Sequence, residues 1–487
     1  MTTETLLRSA RLPGDGRLVD LLLRDGRVAA VASSGELAAL SVRELDGRWV
    51  VPGLWDNHTH FSQWAMTARR LDVSSAGSAR EAAELVAARI AHDPGATDTL
   101  IGYGFRDGLW PDEPTTAVLD AAAAGRPVVL VSGDLHCAWT TSSAQSRYGC
   151  APNDGLLLED DCFRLVGLLG AVDDAVLDDW AADAAAAAAR RGVVGVVDLE
   201  MRWNPGDWAR RAALAPLSVR VETGVYAVDL ERAISEGLRS ADAIDASGLV
   251  TMGPLKVITD GSLNTRTAYC VDAYDGMSGA HAHGMLTVVP AELDVLLARA
   301  AAAGIRPTVH AIGDEANTLA LDALARVGGG RIEHAQLVAA ADLPRFAELG
   351  VVASVQPEHA VDDRDVADRY WHGRTDRAFP LRSLLDAGAT LALGSDAPVA
   401  PLDPWIAIAA AVGRARGADA PWHPEQRITA AEALAASVRP NTGPVAGAIA
   451  DLAIVDLDAL TASAAELRSM PVAATLLAGR FTWDTLA

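Results

Sequence analysis

Eight short segments that read as β-strands, separated by stretches that read as helices, limit what this chain can fold into more than any other feature. The strands are Trp49–Asp56, Val193–Leu199, Leu217–Tyr226, Pro254–Thr259, Arg306–His310, Arg331–His334, Val351–Gln356 and Thr390–Ser395. Most are rich in β-branched residues and bounded by Gly, Pro or Asp. Between them lie helical stretches such as Asp173–Arg191, Ala291–Ala303, Glu315–Arg326 and Ala340–Glu348. The first contains the run Ala181–Ala189, a strong helix former. Eight β/α units in series fit a closed (β/α)8 TIM-like barrel, whose active site lies at the C-terminal ends of the strands. An open doubly wound sheet is the alternative, but no G-x-G-x-x-G follows the first strand.

The distance between the first two strands is too long for one crossover. Residues from about 75 to 169 therefore hold an insertion after barrel strand 1, read as a cover for the barrel mouth. Residues Gly102–Asp107 and Pro127–Val131 suggest loops and a strand within it. At the amino end, Val19–Leu23 and Val28–Val31 flank Arg24-Asp25-Gly26-Arg27, a strong hairpin signal. At the other end, Ala450–Asp456 and Val472–Trp483 read as strands, the second broken by a turn at Ala478-Gly479-Arg480. Residues 1–50 and 441–487 are thus expected to form one small β-domain beside a barrel of residues 51–440.

Composition narrows the function classes. The 487 residues are 50% apolar and 22% charged, ordinary for a soluble globular protein. No apolar run approaches the roughly 20 residues that cross a bilayer. Met1-Thr2-Thr3-Glu4-Thr5 has neither the basic nor the apolar region of a secretory signal. Cys137, Cys150, Cys162 and Cys270 are scattered, as reduced buried thiols of a cytoplasmic protein would be. A net charge of -23 disfavours nucleic acid and anionic membrane surfaces as partners and, for a small-molecule substrate, favours a neutral or cationic molecule over a polyanion.

The chemistry is carried by His58-Thr59-His60, just after the apolar run Val50–Trp55. On a strand, side chains two apart share a face, so the two imidazoles can converge on one metal ion. Lys256 on strand 4, His310 on strand 5, His334 on strand 6 and Asp396 after strand 8 complete a set of six ligand-type residues. A lone strand histidine is more often a core residue, and Asp396 alone reads as a turn or cap. Lys256, inside an apolar strand, carries a desolvation cost unless paired or neutral. Together the six lie mostly at the strand ends where barrel enzymes keep their chemistry. Imidazole and carboxylate suit zinc or its neighbours better than calcium or magnesium.

These segments resemble the amidohydrolase superfamily. The matching runs are Pro52–His60, Leu255–Leu263, Val309–Asp314, Ile332–Ala335 and Gly394–Pro398. The chain looks closest to the amidohydrolase family 3 branch, which includes N-substituted formamide deformylases. That branch has an insertion matched by Trp110-Pro111 and Asp134–Trp139, and the superfamily's closing strands are matched by Gly447–Asp456. The resemblance implies a barrel with a β-sandwich built from both termini and a site for one or two divalent ions, zinc favoured. It implies that His58, His60 and Asp396 hold the more buried ion and His310 and His334 the second. Lys256 would bridge the two as an N-carboxylated lysine; the alternative is an unmodified Lys256 paired with a carboxylate. It further implies hydrolysis of a C–N bond in an amide, formamide or cyclic amide by metal-activated hydroxide, with Asp396 as proton shuttle.

His136 is a candidate donor to the substrate carbonyl. Arg266, His359 and Trp110 are candidate substrate contacts, with a salt bridge, a solvated loop and simple burial as their respective alternatives. Trp55, Trp139 and Trp371 are further candidates for an apolar lining. His281 and His283 form a second His-x-His, but no strand supports it and a loop is expected. Other readings are an esterase or lactonase using the same site, a non-catalytic subunit, and a metal-free acid–base enzyme. Enzymes of this type are often homodimers, though no segment here identifies an interface.

Overall fold

Pro52-Gly53 divides the first expected strand. In the computed structural model, which describes residues 4–92, 95–151, 154–169 and 172–486, Trp49–Pro52 joins a sheet made from both ends of the chain and Leu54–Thr59 becomes the first barrel strand. The cause is space: a Cβ on Gly53 would lie 2.4 Å from a methyl of Val194, so only glycine allows the close approach. Met1–Thr3, part of the segment read for a secretory signal, lie outside the described residues.

The other barrel strands are Val193–Asp198, Arg220–Tyr226, Val250–Ile258, Pro307–Ala311, Gly330–His334, Val351–Val355 and Thr390–Leu393. With Leu54–Thr59 they pair in chain order, all parallel, as one eight-stranded sheet. Each overlaps an expected strand. The sheet is nearly closed by the segment after its last strand: the Asp396 N–H donates to the His58 carbonyl and the His60 N–H to the Ala397 carbonyl, both at 2.8 Å.

The four expected helices appear as Asp174–Ala189, Pro290–Ala302, Asp314–Val327 and Leu343–Glu348. Asp173 caps the first by accepting from the Ala175 N–H. The fourth starts later than expected, with Pro344 in its first turn, where a missing N–H costs nothing. The main core, with Leu255, Val309, Ile332 and Ala353 among its members, lies between strands and helices. No helix among the described residues is long and apolar enough to cross a membrane.

Between the first and second barrel strands the chain builds a five-stranded sheet of Leu71–Asp72, Leu100–Phe105, Val128–Ser132, Cys137–Thr140 and Leu156–Leu158. The two ends meet in an eight-stranded sheet, where Trp49–Pro52 pairs antiparallel with Leu452–Val455. The hairpin turn at Asp25-Gly26 takes positive φ at both positions (51° and 77°), as a two-residue turn requires.

Trp55 packs across Gly195 in the barrel wall, where an added Cβ would lie 2.3 Å from the buried indole. Gly195→Ala should therefore lower the unfolding free energy by about 1–3 kcal/mol in urea titrations. Gly16→Ala, with nothing within 4 Å of the new Cβ, should leave it unchanged. Equal stabilities for the two variants would show that the wall yields freely.

Candidate metal centre

All six expected ligands line one cavity of about 280 Å³ at the C-terminal ends of the barrel strands. His58 and His60 sit on either side of Thr59, whose hydroxyl turns away and donates to the Val197 carbonyl at 3.1 Å. The Nε2 atoms of His58 and His60 lie 3.2 and 3.3 Å from Asp396 Oδ1. Lys256 Nζ lies 3.3 Å from His58 Nε2. The His334 ring is centred 5.0 Å from that of His58 and 4.5 Å from that of His310. One donor atom each from His58, His334 and Asp396 falls within 4.8 Å of the others.

Buried carboxylates orient these rings. Glu333 accepts from His58 Nδ1 at 2.7 Å and also takes the Thr308 hydroxyl and Arg331 Nε. Asp260 accepts from His310 Nδ1 at 3.0 Å and from the N–H groups of Tyr269, Ile312 and Gly313. Each carboxylate fixes a tautomer and turns Nε2 into the cavity, as metal-ligating histidines require. Neither role was read from the sequence. Glu333 adjoins His334, and strict alternation would put them on opposite faces. Both reach the interior because His334 and Ala335 take left-handed φ of 78° and 43°. The available signal was a charged residue inside the runs Ile332-Glu333-His334 and Thr259-Asp260-Gly261.

Electrostatics suit a cation. Burial, aided by the Lys256 charge, pushes His58 down to about 4, and burial with His310 holds His334 well below the usual imidazole range. Neutral rings are the form that binds metal. Burial opposes ionisation of Asp396, but the hydrogen bond with His60, which Asp396 in turn raises against burial, holds its carboxyl well below the usual range. His60 Nδ1 and His334 Nδ1 are buried without a partner among the described residues. Such orphaned nitrogens call for a ligand, so the residues present fit a divalent ion. Lys256 is 2% exposed and makes no ion pair within 4.0 Å among the described residues. Burial brings its amine down to about 8 against the pull of Glu333 and Asp396.

Around this cluster, His136 and His359 also line the cavity. His136 Nδ1 lies 2.7 Å from Glu159. Burial works against its charge, but Glu159 outweighs it and raises His136 to about 9, while Glu159 falls to about 2. His359 stacks 6.1 Å from His334, with a buried Nε2 that has no partner among the described residues. Glu200, which sequence reasoning missed, lines the cavity just past the second strand, a position that itself marks barrel chemistry. It accepts from the Gln63 main chain and side chain at 2.8 and 2.9 Å.

Arg266 and Trp110 are not among the lining residues. Arg266, at φ 58°, lies against Tyr370, 5.4 Å from the ring centre. Trp110 packs in the insertion with Phe105 and Trp139, its indole N–H donating to the Ala76 carbonyl. Trp55 and Trp371 are buried in other clusters, so the apolar lining comes instead from Met66, Leu135, Phe163, Val166 and Ile258. His283 meets the Cys270 carbonyl in a loop, as expected for the second His-x-His.

The profile of the amidohydrolase family matches residues 41–483. An Arabidopsis thaliana protein, Protein LONG AFTER FAR-RED 3, is 28% identical over 462 residues, covering 85% of this chain and 78% of that one. The N-substituted formamide deformylase of Arthrobacter pascens is 26% identical over 521 residues, covering 95% and 94%. A crystal structure of an uncharacterized metal-dependent hydrolase from Pyrococcus horikoshii superposes with a TM-score of 0.78 at 23% identity, covering 95% of this chain and 99% of that one. A profile match across most of the chain, over a barrel whose ligand-type side chains meet at its C-terminal mouth, means that this chain belongs to the amidohydrolase family and is a hydrolase of carbon–nitrogen bonds.

Proposed function

We propose that the chain hydrolyses an amide, formamide or cyclic amide of a small neutral or cationic molecule at a divalent-metal centre. The residues that would hold the metal are His58, His60, Lys256, His310, His334 and Asp396, with zinc the favoured ion. The observation that carries this reading is the meeting of His58 and His60 Nε2 on Asp396 Oδ1 at the floor of the cavity. When bound, a divalent ion supplies Lewis acidity, lowering the pKa of an attacking water and drawing charge from the substrate carbonyl.

The remaining steps belong to side chains. Asp396, kept ionised by its imidazole neighbours, takes the proton of the attacking water and returns it to the leaving nitrogen. His136, held charged by Glu159, donates from Nε2 to the oxygen that becomes negative in the transition state. Lys256, buried and with no carboxylate within 4.0 Å among the described residues, would as a neutral amine add carbon dioxide and lose a proton, giving a carbamate oxygen that would help to hold the metal. Glu200 has no cationic partner within 4.0 Å among the described residues, which favours an N–H or ammonium group on the substrate. The apolar wall of Met66, Phe163 and Val166 receives its hydrocarbon part. The name of the Arthrobacter relative supports formamides as the first substrates to try. The four free, buried cysteines support a cytoplasmic setting.

Hydrolysis of N-alkyl formamides and amides by the zinc-loaded chain, against the matching esters, tests the reading; turnover of esters alone would contradict it. Asp396→Asn should lower kcat by about 10²–10⁴-fold, and retention of full kcat would remove the shuttle. If His136 acts as the charged donor, kcat/KM should fall as pH rises through about 9. Glu159→Gln removes the anion that raises His136, so this limb should move to lower pH. A limb that stays in place would exclude His136 as its source.

A further inference from the structure

At the N-terminal end of the barrel, opposite the ligand cluster, lies a second cavity of about 900 Å³. Three arginines, Arg306, Arg331 and Arg439, line it with one carboxylate, Glu222. Such a cluster stands out in a chain of net charge -23.

The three guanidinium groups differ in what they already hold. Arg331 reaches into the barrel: Nε donates to Glu333, and one terminal nitrogen donates to the Asn57 carbonyl and the Ser354 hydroxyl. Arg439 gives one terminal nitrogen to Glu222 at 3.1 Å and is fixed against the Trp55 ring, 4.3 Å from its centre. Its Nε is buried and without a partner among the described residues. Arg306 is exposed, and among the described residues its guanidinium makes no ion pair within 4.0 Å. Burial, against the help of Glu222, and the nearby charges of Arg331 and Arg306 hold Arg439 below its ordinary range. Ile305, Val327 and Val438 give the rest of the wall an apolar character.

We propose that this cavity binds a small organic anion, a carboxylate or a phosphate monoester with an apolar body, through Arg306 and Arg439. A planar guanidinium presents paired N–H donors that match the oxygens of either group. Arg439 is already oriented by Trp55 and Glu222, so little side-chain freedom is lost on binding. Arg306 closes on the anion from the rim. The site is separate from the hydrolytic centre and does not depend on the reaction assigned to it.

Calorimetric titration of the full, metal-loaded chain with phenyl phosphate and, separately, with benzoate at constant ionic strength tests this. At least one probe should bind saturably, and which one binds distinguishes the phosphate from the carboxylate class. Arg306→Ala, which removes an exposed side chain and whose folding is checked by thermal melting, should weaken that binding roughly tenfold or more. An anion held at the metal centre would be indifferent to this change. The absence of binding by both probes, or equal affinity in the parent and in Arg306→Ala, would overturn the proposal.

Discussion

The meeting of the first barrel strand with the segment after the last governs the rest of the molecule. Asp56 accepts from the N–H groups of both His58 and Ser395, and Asn57 donates across the seam to the Leu393 carbonyl at 2.8 Å. Gly394 fits there because a Cβ would lie 2.7 Å from the His58 nitrogen. Burial pushes the Asp56 carboxyl up to about 7 even with those bonds. These contacts bring residue 58 against residue 396 and so set both the curvature of the sheet and the donor cluster at its end. Closing a sheet in this way leaves the ligand-bearing side chains pointing inward from strands far apart in sequence.

That cluster is an expensive thing to bury. Four imidazoles, an amine and two carboxylates, Glu333 and Asp396, crowd together there, all buried except the half-buried His60. Isolated charges there would be severely destabilising. The chain answers by keeping His58 and His334 neutral, pairing Glu333 with Arg331, and surrounding Asp396 with imidazole nitrogen. What stays unmatched among the described residues, His334 Nδ1 and a Lys256 with no carboxylate within 4.0 Å, is what a cation and a carbamate would satisfy.

Much of this was legible in the sequence, for physical reasons. Long-range alternation of strand and helix survives in composition, so all eight strands were found, as were the six ligand-type residues that line one cavity at their ends. The division at Gly53 was missed because Trp49–Trp55 is apolar throughout, while the close approach that needs glycine there is to Val194, far along the chain. Glu333 and Asp260 were passed over because their partners, His58 and His310, lie 275 and 50 residues away. The tryptophans misled for the opposite reason: size makes them good core residues, and Trp110 and Trp139 fill the insertion while Trp55 covers Gly195. Glu200 was passed over although its place just past the second strand was a signal; what fixes its carboxylate is Gln63, 137 residues away.

Metal content per chain, measured on protein purified without chelators and supplied with zinc and bicarbonate, tests the central claim most directly. The account predicts about two equivalents, falling toward one in Lys256→Ala. Folded protein that takes up no metal would contradict it, and one equivalent that survives the Lys256 change would remove the bridge.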